Sequence, residues 1–369
     1  MANILLMGGT GAMGVYLRQI LVERGDNVFV TTRAEHRDEK GIRFLQGNAH
    51  DLDFLKRIVA ETKPDAMVDF MIYYTESFRR RVQTLLSMSP HYVFISSYRV
   101  FAEAEPIVED SPRLLDVIED ETYLKTDEYA LTKARQEDAL RSSGKHNWTI
   151  VRPAITYSKE RFQFGVLEAP IICWRALHNL PVIMPRQMLD HQTTMTWGGD
   201  VARMIAGLTG NPLALGEDFN CATAEHHTWR EVAEIYGRAI GLRVFPCTVE
   251  EYIWGPNKYQ IMYDRMFNRV MDNSKVLRVT GIKQDSFVSL EDGLSRELAE
   301  FKEHPHYKWQ DPGRQATMDR LTKTRAPLSA FSPSERELYL KARYPALFNS
   351  LPIRAVRKLR SLAKKVFHI

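Results

Sequence analysis

A short apolar run that breaks into evenly spaced glycines constrains this chain more than any other stretch. Ile4 to Met7 read as a strand buried on both faces, as in the middle of a parallel sheet. Glycines follow at Gly8, Gly11 and Gly14, and Met13, Leu17, Ile20 and Leu21 then recur at helical spacing. The order is strand, tight turn, helix. Gly8 permits the turn, Gly11 lets backbone N–H groups approach a pyrophosphate, and Gly14 lets the helix pack close to the strand. The helix N-terminus adds unpaired N–H groups and partial positive charge. An ordinary strand-to-helix turn also favours glycine, but a triplet at residue 8 straight after an apolar strand points to a dinucleotide site.

The glycines are spaced three and three, Gly8-x-x-Gly11-x-x-Gly14, where the common dinucleotide fingerprint has two and three. This spacing resembles the extended or atypical short-chain dehydrogenase/reductases of NAD-dependent epimerase/dehydratase type. The resemblance implies an α/β fold, a Rossmann-like doubly wound parallel sheet with a smaller C-terminal substrate-binding domain. Val28 to Arg33 form the second strand, whose end reads the adenosine ribose. Thr32 stands where NAD-preferring relatives carry Asp, and Arg33 follows. A hydroxyl and a guanidinium accept a 2′-phosphate, which tilts NAD(P) towards NADP. After the third strand, Gly47-Asn48 replaces the family's Gly-Asp, and the Asn side chain can still accept from adenine. By resemblance the cofactor set is Gly8, Thr10, Gly11, Ala12, Met13, Gly14, Thr32, Arg33, Asn48, Ala49, Tyr129, Lys133 and Pro153.

Helices are expected over Asp51–Glu61 and through Phe78, Val82, Leu85 and Leu86, with a fourth strand over Asp65–Ile72 between them. Arg79, Arg80 and Arg81 point in different directions, which suits a solvated or dimer-facing surface better than a nucleic-acid patch. The fifth strand, His91–Ile95, runs into Ser96-Ser97-Tyr98-Arg99-Val100-Phe101. Ser-Ser after a strand is commonly a turn or a cap. The match to the family's strand-five signature makes Ser97 the catalytic serine. Residues 102–121 are acidic and read as a surface excursion. Tyr129 and Lys133 then lie four apart on one helical face, the family's Tyr-x-x-x-Lys pair. Trp148–Pro153 reads as a further buried strand. The resemblance runs through residues 3–157 without a missing element.

Beyond it the resemblance loosens, reaching roughly residue 300. Thr196 to Ala202 resemble the segment in which an Asp, here Asp200, caps a helix returning to the cofactor domain. Nucleotide-sugar relatives hold the diphosphate with an arginine where this chain has Thr193; Arg186 is the candidate substitute. The substrate set is Ser97, Tyr98, Arg99 and Arg186. The expected organisation is 1–157 for the cofactor domain, rejoined at about 190–222, then 158–330 for substrate and 331–369 as an extension.

Three cysteines, Cys173, Cys221 and Cys247, lie far apart, so neither a disulfide framework nor a metal site is expected. The four-residue opening apolar run is too short for a signal peptide, and nothing is long enough to span a bilayer. A cytoplasmic protein is expected. The last 18 residues hold six Lys or Arg and no acid, and without them 44 basic residues face 46 acidic ones. That body lacks the basic footprint of an RNA binder. Over Ile353–Phe367, at about 100° per residue, the apolar and basic residues fall on opposite arcs. Such a helix binds anionic membrane surfaces, here the inner membrane surface through residues 352–369, or docks on its own domain or a dimer mate. By resemblance the chain is a homodimer acting on a small molecule, a nucleotide sugar, without nucleic acid.

Tyr129 would exchange a proton with a sugar hydroxyl, Lys133 would lower the phenol's pKa, and Ser97 would hold the same oxygen. Dehydratases of this family carry Asp-Glu after the strand-five hydroxyl residue. Here Tyr98-Arg99 follow, so a 4,6-dehydratase is disfavoured. A nucleotide-sugar epimerase is expected first and an NADPH-dependent 4-ketosugar reductase second. A non-catalytic nucleotide- or RNA-binding protein on the same fold is the reading from another class.

Overall fold

A computed structural model describes residues 1–349 except 160, 255–256 and 308–310. Seven parallel strands form one sheet: β1 (Asn3–Met7), β2 (Asn27–Thr32), β3 (Ile42–Gln46), β4 (Ala66–Asp69), β5 (His91–Ile95), β6 (Trp148–Pro153) and β7 (Glu217–Cys221). Their order is β3-β2-β1-β4-β5-β6-β7, so the direction of winding reverses beside β1. Ligands of open α/β sheets sit at such a reversal, beyond the carboxyl ends of the strands.

The apolar run of β1 explains its central place. Ile4 and Leu6 join one hydrophobic cluster, Leu5 and Met7 the opposite one, and all four are buried. Alternation of side chains puts both faces in contact with helices, so every residue must be apolar. Helices α1 (Gly14–Glu23) and, later in the chain, Gly198–Leu208 cover the first face through Leu17, Leu21, Val201 and Ile205. Helices α2 (Leu52–Thr62), α3 (Thr75–Ser87) and α4 (Tyr129–Arg141) cover the other through Leu55, Ile58, Phe78, Leu85 and Leu140. This is the doubly wound α/β fold expected from the sequence.

Several expected details differ. β4 ends at Asp69, not Ile72, because the Asp69 carboxylate accepts the Met71 N–H at 2.8 Å and turns the chain. Asp200 is not a cap: Trp197 precedes the helix, and Asp200 lies in its first turn, accepting from Val288 N–H at 2.9 Å and from Arg203 at 2.9 Å. The acidic stretch 102–121 is more than a surface excursion. Ala104–Ile107 pairs in parallel with Arg269–Met271, and Ile107 and Leu114 are fully buried.

The second lobe packs Phe162, Phe164, Trp229 and Tyr236 into the largest hydrophobic cluster. Helices Pro312–Thr322 and Pro333–Arg343 add a layer to it. They are anchored by a fully buried ion pair, Arg175 Nη2 to Asp319 Oδ1 at 2.8 Å, beside Trp174, Phe331 and Tyr339. The amphipathic stretch expected at 352–369 lies outside the described residues. All three cysteines are free and buried. Among the described residues no helix is long and apolar enough to cross a membrane.

Candidate active site

The three glycines do different work. Gly8 adopts φ +73°, a left-handed conformation that favours glycine, and its N–H donates to Thr31 Oγ1 at 2.9 Å. A Cβ on Gly14 would lie 2.3 Å from the Gly9 carbonyl oxygen. Gly14 therefore closes the turn on itself; the expected close packing of helix on strand is not what demands it. A Cβ on Gly11 would meet no heavy atom within 4 Å. The N–H groups of Thr10, Gly11, Ala12 and Met13 have no acceptor among the described residues. Ala12 faces the second lobe, its carbonyl accepting from Ser158 at 3.0 Å, and Met13 packs under the turn. Open space and unpaired donors at a helix start suit a pyrophosphate.

Beside this turn a cleft of ≈ 310 Å³ runs over the ends of β1, β2 and β3. Thr32, Arg33, Asn48 and Ala49 all line it, and no acidic residue does. The Thr32 hydroxyl both accepts from Ala34 N–H at 3.2 Å and donates to Ala34 O at 3.1 Å. Arg33 is exposed, and Asn48 Oδ1 accepts from His50 N–H at 3.1 Å. His50, which the sequence reading missed, completes the wall; burial and the Arg81 charge push its pKa down. These residues fit the adenosine half of a nicotinamide dinucleotide.

Ser97, Tyr129 and Lys133 converge at the end of β5. Ser97 starts a 3-10 turn and accepts from Arg99 N–H at 3.3 Å. Glu128 caps α4, accepting from Ala130 N–H at 2.7 Å, so Tyr129 begins the helix and Lys133 lies one turn on. Burial raises the pKa of the Tyr129 phenol, while the Arg99 and Arg161 charges and a hydrogen bond with Ser97 act to lower it. Lys133 is 3% exposed; its Nζ donates to Ile95 O at 2.8 Å and lies 6.0 Å from the Tyr129 ring centre. Burial pushes its pKa down to about 8. Pro153 ends β6 beside Cys221 of β7.

Ser96 points away from this group. Its hydroxyl donates to Glu137 at 2.6 Å, and Glu137 holds Arg152 through two bonds of 2.8 Å. Asp69, also missed, is fully buried and accepts from Tyr73, Tyr92 and Met71 N–H. An acid ending an otherwise apolar strand was the signal for it.

The expected substrate set does not stay together. Tyr98 is 3% exposed, with its hydroxyl accepting from Arg265 at 2.7 Å and donating to Asp264 at 3.3 Å; it is core, not a substrate contact. Arg99 stays at the site, its guanidinium 5.3 Å from the Tyr129 ring centre. Arg186 is exposed and lines none of the clefts around the glycine turn. Thr193 is buried, paired across a short antiparallel ladder with His227. Lys159 and Arg161 instead face Gly11 and Ala12 across a cleft of ≈ 480 Å³. Nothing in the sequence pattern singled them out. Among the described residues no three metal-ligating side chains cluster.

A model of the NAD dependent epimerase/dehydratase family matches residues 4–222. The chain is 24% identical over 296 residues to the chloroplast stem-loop binding protein of 41 kDa b from Arabidopsis thaliana, covering 74% of this chain and 73% of that one. Its fold is similar to dTDP-glucose 4,6-dehydratase from Bacillus anthracis, solved with NAD, at TM-score 0.65 and 16% identity, over 85% of this chain and 99% of that one. It is also similar to UDP-glucose 4-epimerase from Thermus thermophilus, solved with NAD, at TM-score 0.58 and 21% identity, over 82% and 99% of the two chains.

Proposed function

The chain belongs to the NAD dependent epimerase/dehydratase family, and on that premise we propose that it epimerises a nucleotide sugar with a bound nicotinamide dinucleotide. The observation that carries this reading is the grouping of Ser97, Tyr129 and Lys133 at the end of β5, next to the open glycine turn. The names of the similar structures, a dTDP-glucose dehydratase and a UDP-glucose epimerase, support a nucleotide sugar as the substrate class.

A nicotinamide bound there would supply a hydride acceptor and donor. Every other step belongs to this chain. Gly11 and the unpaired N–H groups of residues 10–13 would hold the pyrophosphate. Ser97 donates to the reacting sugar oxygen and keeps it in line with Tyr129. Tyr129 takes the hydroxyl proton and later gives it back. An ordinary phenol, with a pKa of about 10, is a poor base at neutral pH. Burial raises this phenol further, and Arg99 beside the ring and Lys133 one helical turn away are the charges placed to oppose that rise. Tyr98-Arg99 after Ser97 leave no acid–base pair for dehydration, since Tyr98 is sealed in the core. Arg33 beside a cleft wall without acids supports NADP at least as well as NAD.

The test is to incubate the NAD-loaded protein with nucleotide sugars and follow sugar configuration by NMR alongside nicotinamide absorbance. Interconversion of epimers without net cofactor consumption is expected, falling about 10²-fold or more in Tyr129→Phe. Net NADPH consumption with a 4-ketosugar identifies the reductase instead. The similarity to a chloroplast stem-loop binding protein favours one other reading, a non-catalytic RNA-binding protein. Salt-dependent RNA binding by a protein ending at residue 351, with no sugar turnover, would replace the enzyme reading.

A further inference from the structure

Five buried or half-buried charges form one cluster that reaches Tyr129 through Arg99, and they do not balance. Asp264 lies on a π-helical turn, Ile261–Arg265, in the second lobe. Its carboxylate accepts from Arg265 and, at 3.0 Å, from Arg269 Nε; Arg99 Nε lies 3.3 Å away. Arg99 Nη2 also donates to Glu128 Oε1 at 2.5 Å. Three guanidinium groups therefore share two carboxylates. Tyr98, between Arg265 and Asp264, is pushed up to about 12 chiefly by burial and stays neutral. The guanidinium carbon of Arg99 stands 5.3 Å from the centre of the Tyr129 ring.

The other charges facing Tyr129 are Lys133 on its own helix and Arg161 from the second lobe. Lys133 is committed to the Ile95 carbonyl, 6.0 Å from the ring centre. Arg161 is exposed and its charge is screened by water. Arg99 alone is closely held on two sides, charged at every working pH and stacked on the ring.

We propose that Arg99 is a positioning residue for Tyr129, setting the cluster's unbalanced positive charge beside its ring. The proposal rests on Tyr129 being the proton-transfer residue. It also ties the π-turn of the second lobe, through Asp264 and Arg99, to the Tyr129 ring.

The test reads ionisation of Tyr129 without substrate or cofactor, so its outcome is separate from whether the protein epimerises sugars. Tetranitromethane nitrates phenolate, and Tyr129 is 37% exposed while Tyr74, at 76%, serves as reference in the same sample. Peptide mass spectrometry at fixed mildly alkaline pH gives the ratio of the two initial rates. Arg99→Met should lower that ratio about tenfold, and Arg99→Lys, which keeps the charge, should stay within about twofold of the native protein. Where Arg99→Met does not fold, as judged by circular dichroism, Arg99→Gln takes its place because it keeps a donor for Glu128. A neutral variant that nitrates like the native protein overturns the proposal. So does Arg99→Lys falling with the neutral variant, since packing rather than charge would then be at work.

Discussion

Glu137 and Arg152 face each other through two hydrogen bonds of 2.8 Å, both side chains at most 1% exposed, directly behind Ser96. Burial alone would raise the Glu137 pKa, but the Arg152 charge and its hydrogen bonds outweigh it and bring the carboxyl down to about 2. The pair fixes the end of β6 to α4, the helix that carries Tyr129 and Lys133. Removing Glu137 leaves the buried Arg152 with Asp218 as its one remaining carboxylate partner among the described residues. Glu137→Gln should cost about 3 kcal/mol in urea unfolding at neutral pH. Because the folded value lies below the unfolded one, of about 4.3, this contribution is complete above the unfolded value. It fades as pH falls through about 2, so the variant and the native protein should converge in stability under strong acid.

Two glycines of one turn should answer differently to the same methyl group. Gly14→Ala places a Cβ against the Gly9 backbone, 2.3 Å from its oxygen, and should lower stability by about 2 kcal/mol or more. Gly11→Ala meets nothing within 4 Å and should leave the melting temperature nearly unchanged. Calorimetry should nonetheless show weakened dinucleotide binding in Gly11→Ala, because the methyl occupies the approach to the N–H groups.

Lys133 should trade stability against function. Its folded pKa of about 8 lies below the ordinary lysine value of about 10.4, so between these two values the unfolded chain binds more protons. Stability therefore rises with pH across that window and is lowest below it, where a buried ammonium must be carried. Lys133→Met should raise stability at pH 7 by on the order of 1 kcal/mol, the relief of desolvation less the lost hydrogen bond to Ile95. The gain should shrink as pH climbs through the window. Dinucleotide affinity should fall in the same protein, measured by calorimetry.

Thr32→Asp should move cofactor preference towards NAD(H). The native wall of the ribose cleft has no acid, and Thr32 spends its hydroxyl on Ala34. A carboxylate there would bond a 2′-hydroxyl and repel a 2′-phosphate. The ratio of the two dissociation constants should change at least about tenfold, with NADP(H) losing. An unchanged ratio would mean that Arg33 and Thr32 do not face the ribose.

The sheet was legible because its evidence is local and redundant. The run Ile4 to Met7, the three glycines and the Tyr129–Lys133 spacing each point to the same element at the same place. Substrate residues were not legible, for a geometric reason. Tyr98 and Arg99 are adjacent in sequence, yet the 3-10 turn sends one into the core and leaves the other against Tyr129. Neighbours in a turn diverge in direction, and no pattern of residue types tells which one faces the cleft. Asp264 was invisible for another reason, since its partners are brought together only by tertiary packing across the two lobes. The same holds for Arg175 and Asp319, which weld on a C-terminal layer that resembled nothing in sequence. Asp200 was placed correctly in its helix but given the wrong task, because a carboxylate in the first turn and one at the cap look alike in one dimension.

β7 pairs residue for residue with β6, Glu217 opposite Thr149 through Cys221 opposite Pro153, and thereby finishes a sheet that began at Asn3. During synthesis that outer edge of β6 must wait, its amides and carbonyls without strand partners, until the whole of 154–216 has left the ribosome. Much of the second lobe's first layer is thus made while the first sheet is still open on one side. The edge that waits is also the strand that carries Arg152, the residue before its last. The last charged group behind Ser96 is accordingly locked in place from both sides only when Asp218 arrives, 2.7 Å from its guanidinium. Arg152 thus takes its second carboxylate from the strand that closes the sheet.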